Sequence, residues 1–314
     1  MVGVDDLSGG FLHNVPPGVR FYVCDLSERK ATIRIREVLN RECVDTAFHL
    51  AADATEGRSQ FHPVSCTYDN YVAHLHLIRA CVETHVRRVI VGSSMSVYGK
   101  QTPPFSEELE RRPEDIYAIS KAAMEQSTEI LSEVQNFEYF IVRPHNVYGP
   151  LQNMADPYRN VIAIWMNAIL RKRPFFIYGD GEQKRAFSYI SDIIPCLCTL
   201  LNCPVDFPKI YNLGAAREYT LNELAQTLLS ITEAPPLSLE YLPSRPLEVK
   251  HAWSTTKRSE EWLGFRDTVS LWDGLSSMWR WAKKTYPNGV DPKYLDRLEL
   301  PNENTPITWT QKLY

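Results

Sequence analysis

The chain predicts an α/β fold: a doubly wound parallel sheet with a smaller α/β lobe interleaved into it. Three observations carry this. Strand-like runs at residues 20–24, 44–51, 88–92 and 139–143 alternate with helix-period segments at 31–39, 64–83 and 114–134, the βαβ order that parallel strands require. The runs at 44–51, 88–92 and 139–143 are mostly apolar, as befits strands buried on both faces. Beyond Pro150 the pattern changes, yet a late run at 209–213 again reads as a strand of the main sheet.

In order, residues 2–7 open with a short strand, followed by Gly9, Gly10 and an irregular Pro-containing stretch before the strand at 20–24. After Pro150 come an amphipathic helix at 160–171, a strand at 175–178, a Gly179-Asp180-Gly181 turn and a helix at 192–202. Segments 221–229, 237–242 and 269–283 complete the smaller lobe, and the Pro- and Asn-rich stretch after Pro287 carries no periodic signal. This divides the chain into residues 1–156 and 157–314, with about 187–220 returning to the main sheet.

Composition narrows the function classes. A 314-residue chain with 44% apolar and 23% charged residues reads as a soluble globular protein with a sizeable core. The net charge of −4, without a recurrent Lys/Arg face, argues against a nucleic-acid surface. Seven Cys without a Cys-x-x-Cys spacing fit a reducing compartment, and no apolar run reaches membrane-spanning length. These readings point to a cytoplasmic protein acting on a small molecule. His74 and His76, two apart on a helix, point to different faces and do not make a metal site.

Three segments carry chemistry: 92–99 (Gly-Ser-Ser-Met-Ser-Val-Tyr-Gly), 117–121 (Tyr-Ala-Ile-Ser-Lys) and 143–150 (Arg-Pro-His-Asn-Val-Tyr-Gly-Pro). A phenol is a poor base at neutral pH, its ordinary pKa being about 10, so a catalytic Tyr needs a cation nearby. Tyr117 and Lys121 lie four apart, hence on one helix face, and Ser94 at a strand end is placed to hold a substrate hydroxyl against the phenol. The Tyr/Lys pair alone is a weak signal. The Ser-rich strand end, the Tyr/Lys helix and the Pro-His-Asn turn in this order are a specific one.

On these motifs the chain resembles the extended short-chain dehydrogenase/reductase family, in its NAD-dependent nucleotide-sugar epimerase and dehydratase branch. It is most similar to the UDP-glucose 4-epimerase group, from about residue 2 to about residue 270. The resemblance implies a Rossmann-like domain, NAD as cofactor, a UDP-sugar substrate and a homodimer built on helices 64–83 and 114–134. It assigns catalysis to Ser94, Tyr117 and Lys121. To the cofactor it assigns Asp5, Asp6, Asp25, Leu26, Leu50, Ala51, Ala52, Asn70, Ser93, Pro144 and His145, together with Tyr117 and Lys121. Asn70 reads equally as a plain helix N-cap. Substrate contacts fall on Ser96, Asn146, Asn160, Tyr178, Arg185, Arg245 and Glu248, the two Arg suiting a diphosphate because guanidinium binds phosphate oxygens bidentately. Some epimerases carry a cation near Asp53 and Ala54, and the sequence shows none there.

One departure stands out. In a dinucleotide-binding half the ribose-binding acid follows a glycine loop by about 20 residues. Here Asp5 comes almost first, so the first strand and its loop are missing, and Gly9 and Gly10 do not replace them because no helix N-terminus follows. Three explanations stand: a fragment or mis-started chain, a sheet closed by another pairing, or lost cofactor binding. Dehydratases of the family add an Asp-Glu pair after the catalytic hydroxyl, where this chain has Met95 and Ser96, and decarboxylases place an acid at the Ser96 position. The resemblance therefore implies a 4-epimerase working through a transient 4-keto sugar. The alternatives are another nucleotide-sugar dehydratase or reductase, and a catalytically silent homologue acting as a binding protein.

Overall fold

The computed structural model describes residues 1–235, 238–245 and 251–314. The first half contains β1 Val2–Asp5, β2 Arg20–Val23, α1 Ala31–Arg41, β3 Thr46–His49, α2 Glu56–Ser59, α3 Pro63–Thr67, α4 Ala73–Glu83, β4 Arg88–Gly92, α5 Ile116–Gln135 and β5 Glu138–Pro144. There follow β6 Val147–Tyr148, α6 Val161–Leu170, β7 Phe175–Tyr178, β8 Lys184–Ala186, β9 Ser188–Tyr189, α7 Ile190–Asn202 and β10 Ile210–Leu213. Last come β11 Glu218–Thr220, α8 Leu221–Thr232, β12 Leu239–Leu242, β13 His251–Ala252, α9 Lys257–Leu263, α10 Leu271–Thr285 and α11 Ile307–Thr310.

The main sheet runs β10-β5-β4-β3, all parallel, and β10 does return to pair with β5 in register Tyr211 to Val142. Alternation along β4 and β5 explains the double winding. Val89, Val91 and Ile141 face one way, into a core with Ile35 and Leu39 of α1 and Ile78 and Cys81 of α4. Ile90, Phe140 and Val142 face the other, against Ile193 and Leu200 of α7 and Leu263 at the end of α9. The sequence is apolar at every one of these positions because both faces are covered.

Strands β1 and β2 form a separate parallel pair, and no ladder joins β1 to β3 among the described residues. The sheet is thus interrupted in the middle, and it is not closed there by another pairing. The β1-β2 pair is carried instead through α1, which packs along α4 in the shared core. The open edge leaves Phe48 37% and Leu50 55% exposed, an unusual place for large apolar side chains.

The second lobe has its own core, in which Trp165 and Met166 of α6, Phe175 and Ile177 of β7, Leu224 and Leu228 of α8, and Leu275 and Met278 of α10 are buried together. Helix α8 begins with a capping box, Thr220 Oγ1 accepting from Glu223 N while the Glu223 carboxylate accepts from Thr220 N. Such a cap contributes about 1 kcal/mol. The helix expected at 64–83 is α3 and α4 joined by a π-turn over Tyr68–Val72. Asn70 sits inside that turn, so it is not an N-cap. No helix among the described residues is long and apolar enough to cross a membrane.

Candidate active site

The main sheet delivers its strand ends to one cleft. After β4 the chain turns through Ser93 and Ser94 into a 3-10 turn, Met95–Tyr98, which Ser94 caps by accepting the Ser96 N–H on its Oγ at 3.2 Å. The turn exits at Gly99 with φ +62°, where a Cβ would lie 2.0 Å from the Arg112 carbonyl oxygen, so only glycine fits. Asp115 starts α5 by accepting the Ala118 N–H at 2.8 Å. Tyr117 therefore falls in the first turn and Lys121 one turn further on the same face, 8% and 2% exposed.

The Lys121 ammonium donates to the Gly92 carbonyl at 2.7 Å and lies 5.7 Å from the centroid of the Tyr117 ring. Burial lowers its pKa to about 8. Burial also raises the Tyr117 phenol, against a hydrogen bond with Ser94 that pulls it down, and the carboxylates of Glu56 and Asp115 raise it further. The sequence-based expectation that a nearby cation lowers the phenol is not what dominates here: burial does, and it acts in the opposite direction. Asp115 itself rises to about 7, through burial first and Glu56 second.

Behind the cleft lies a buried ion network. Glu125, one turn beyond Lys121, accepts from Arg143 Nε and Nη2 at 2.8 and 2.6 Å, from Arg111 Nε at 2.6 Å and from the Ser93 hydroxyl. Arg143 also donates to the Tyr98 hydroxyl at 2.7 Å, which in turn donates to Asn212 Oδ1 at 2.8 Å on β10. The network locks the Ser-rich strand end, α5 and β10 together, so Ser94, Tyr117 and Lys121 are held by rigid elements. Nothing in the periodicity pointed to it, although Glu125 falls four residues after Lys121 on the same helix face.

The expected cofactor residues divide. Asp5 and Asp6 end β1 and bind their own turn, accepting from Leu7 N and Ser8 N. Asp25 does the same for Ser27, and the Leu26 carbonyl lies 2.9 Å from His76 Nδ1. Leu50, Ala51 and Ala52 follow β3 along the open edge, with Leu50 and Ala51 exposed. Asn70 is fully buried; its Nδ2 donates to the Asp53 and Cys66 carbonyls, and its Oδ1 has no partner. Pro144 lines the cleft, but the His145 ring is turned away, packed on Gly214 with Nε2 2.6 Å from Ser254 Oγ. A cation does stand near Asp53: Arg58, one helical turn along the chain, pairs with it at 2.6 Å.

Ser94, Ser96, Asn146, Arg185 and Arg245 line one end of the cleft with Glu56 and Asp115. Tyr117, Asn160 and Tyr178 line its continuation toward the second lobe, again with Arg185 and Arg245. Asn160 caps α6 and donates to the Val147 carbonyl, and Asn146 donates to the Ala186 carbonyl. Arg245 stacks over the Tyr178 ring at 4.8 Å. Glu248 lies outside the described residues. Sequence reasoning missed Glu56, Asp115, Thr308, Trp309 and Tyr314, all of which line the cleft; only Asp115, an acid three residues before an N–H it caps, left a readable signal. No group of metal-ligating side chains occurs among the described residues.

Residues 1–214 match the model of the NAD dependent epimerase/dehydratase family. The chain belongs to that family. Among curated relatives, the UDP-glucose 4-epimerase of Mycolicibacterium smegmatis is 29% identical over 287 residues, covering 88% of each chain. The UDP-N-acetyl-alpha-D-glucosaminuronate decarboxylase of Bacillus cytotoxicus is 28% identical, covering 80% of this chain and 79% of its own. Among solved structures, the UDP-glucose 4-epimerase of Thermotoga maritima with UDP-glucose superposes with a TM-score of 0.83 at 27% identity, covering 90% of this chain and 91% of the other. The family uses NAD, and its members act on nucleotide sugars by epimerisation, dehydration or decarboxylation.

The residues of this epimerase/dehydratase chain fit the two ends of NAD unequally. At the end where nicotinamide is expected, Tyr117 and Pro144 line the cleft, Lys121 is buried one turn beyond Tyr117, and the Ser96 hydroxyl is buried without a partner beside them. The adenosine end has Asp5 and Asp25 at adjacent strand ends. Between them, where a pyrophosphate needs backbone N–H groups of a glycine loop at a helix N-terminus, the described residues present only the open edges of β1 and β3.

Proposed function

We propose that the chain is an NAD-dependent nucleotide-sugar 4-epimerase of the UDP-glucose/UDP-galactose type. The observation that carries this is the cleft itself: Ser94 and Tyr117 line it with Lys121 buried one helical turn beyond Tyr117, while the positions that follow Ser94 are Met95 and Ser96. Neither supplies an acid or base for elimination or decarboxylation.

Tyr117 takes the proton of the sugar 4-hydroxyl and later returns it, and Ser94 orients the hydroxyl between them. NAD, when bound, would supply the hydride acceptor and the returning hydride. Lys121 holds positive charge close to the phenol, the direction that favours phenolate. Arg185 and Arg245 take the diphosphate, and Asn146, Asn160 and Tyr178 bound the sugar and nucleotide side of the cleft. Glu248 is placed with them by the resemblance alone. A 4-keto sugar that turns about its diphosphate returns its other face for reduction, with no net redox change.

The chain is further read as a cytoplasmic homodimer. Val64 and Tyr68 on the α3 side, and Ile119, Ile130 and Val134 on α5, are large apolar side chains about half or more exposed, which suits a four-helix contact between two copies. The test of the catalytic reading is Tyr117→Phe. It is expected to abolish conversion of UDP-galactose while leaving UDP affinity within about twofold of wild type; retained turnover would refute the mechanism.

A further inference from the structure

The stretch that carries no periodic signal, residues 288–314, is built into the substrate cleft. It leaves α10 along the second lobe, where Val290 N donates to Asn167 Oδ1 and Asn167 Nδ2 donates back to the Val290 carbonyl, both at 2.8 Å. It crosses to the sheet lobe, where the Glu299 carboxylate accepts from Val64 N and Ser65 N at 2.7 and 2.9 Å, and Leu300 N donates to the Phe61 carbonyl at 3.0 Å. It then turns back and sets α11 over the cleft, with the Trp309 ring edge-on to Phe61 and Tyr158.

At that point Thr308 meets Tyr178. Their hydroxyl oxygens are 2.7 Å apart in the buried wall, and Thr308 N donates to the same phenol oxygen at 3.4 Å. The Tyr178 ring carries the Arg245 guanidinium on its face at 4.8 Å, and Arg245 reaches across to within 3.8 Å of the Cβ position of Gly57 on α2. A guanidinium stacked on a ring face takes part of its placement from the ring, so a contact that orients the ring bears on the fork. The hydroxyl of this ring is held by a residue of the returning segment.

We propose that Thr308 is a positioning residue for the diphosphate of a nucleoside diphosphate ligand, acting through Tyr178 on Arg245. The inference rests on the reading of the cleft as a nucleotide-sugar site. Thr308 does not touch the reacting carbon, so its loss changes binding and leaves chemistry alone.

The experiment compares Thr308→Val and Thr308→Ser with the wild-type chain by calorimetric titration with UDP, by KM and kcat for UDP-galactose with NAD added, and by thermal melting. Val keeps the shape and removes the hydroxyl. It is expected to weaken UDP binding and raise KM by about tenfold, the effect of one buried hydrogen bond, with kcat unchanged. Ser is expected to restore both. UDP affinity in Thr308→Val equal to wild type would overturn the proposal, as would parallel losses of kcat, melting temperature and affinity that Ser does not rescue. A wild-type chain that binds no UDP would instead overturn the nucleotide-sugar reading, and the proposal with it.

Discussion

Replacing Glu125 by Leu removes the acceptor of a fully buried network, and the cost follows from what stays behind. Arg143 is 1% exposed and its Nε and Nη2 lose their partners at 2.8 and 2.6 Å, while Arg111 and the Ser93 hydroxyl lose theirs. A buried charge stripped of its partner costs about 3–5 kcal/mol, against a total stability of about 5–15 kcal/mol. The double variant with Arg143→Met removes the orphaned charge and recovers most of the loss. Urea unfolding followed by tryptophan fluorescence measures both. The pH dependence carries a sign: Arg143 and the Ser93 hydroxyl hold the Glu125 carboxyl below its ordinary value in spite of burial. Its stabilisation is therefore present above the unfolded carboxyl pKa of about 4.3 and is lost as pH falls through the lower folded value. The gap between wild type and Glu125→Leu is full at pH 7 and narrows below about pH 4. A loss under about 1 kcal/mol at pH 7, or a double variant no better than the single, would refute the reasoning.

Other consequences are as direct. Lys121→Met is expected to abolish turnover yet to stabilise the fold at neutral pH: with the folded pKa near 8, below the ordinary 10.5, the penalty of burying the ammonium is full below about pH 8 and gone above about 10.5, so melting curves of the two proteins converge at high pH. Asp115→Asn keeps a cap acceptor and removes a carboxyl whose folded pKa is raised to about 7; wild-type stability should fall relative to this variant as pH rises from about 4 to 7 and stay level above, as followed by melting temperature. Gly99→Ala meets the Arg112 carbonyl at 2.0 Å in a positive-φ position and is expected to cost at least about 2 kcal/mol in urea unfolding, with activity falling because the turn after Ser94 moves.

Much of the fold was legible because burial imposed a pattern. Strands β4 and β5 read as apolar runs because α1 and α4 cover one face and α7 and α9 the other, and β10 could be placed in the main sheet for the same reason. Whether the sheet closed by another pairing was left open by the sequence, and it took the strand pairing itself to show that no ladder joins β1 to β3 among the described residues. Short pieces such as β6, β8, β9, β11 and β13, of two or three residues, were not legible, because so few residues carry no period. At the site, Tyr117, Lys121 and Ser94 were readable from spacing. The raised phenol, the Glu125 network and the Arg58–Asp53 pair were not, since they depend on desolvation and on contacts distant in sequence. Residues 288–314 show the limit most plainly: their placement rests on hydrogen bonds to Asn167, Ser65 and Tyr178, and such isolated contacts leave no periodicity.

The most direct measurement is to incubate the purified chain with NAD and UDP-galactose and identify the product by mass and proton NMR, with Tyr117→Phe as control. An unchanged mass, conversion to UDP-glucose and no conversion by the variant are the expected results. A product lighter by one water, an accumulating 4-keto sugar, or no conversion by protein that demonstrably holds NAD and UDP would contradict the assignment as a 4-epimerase.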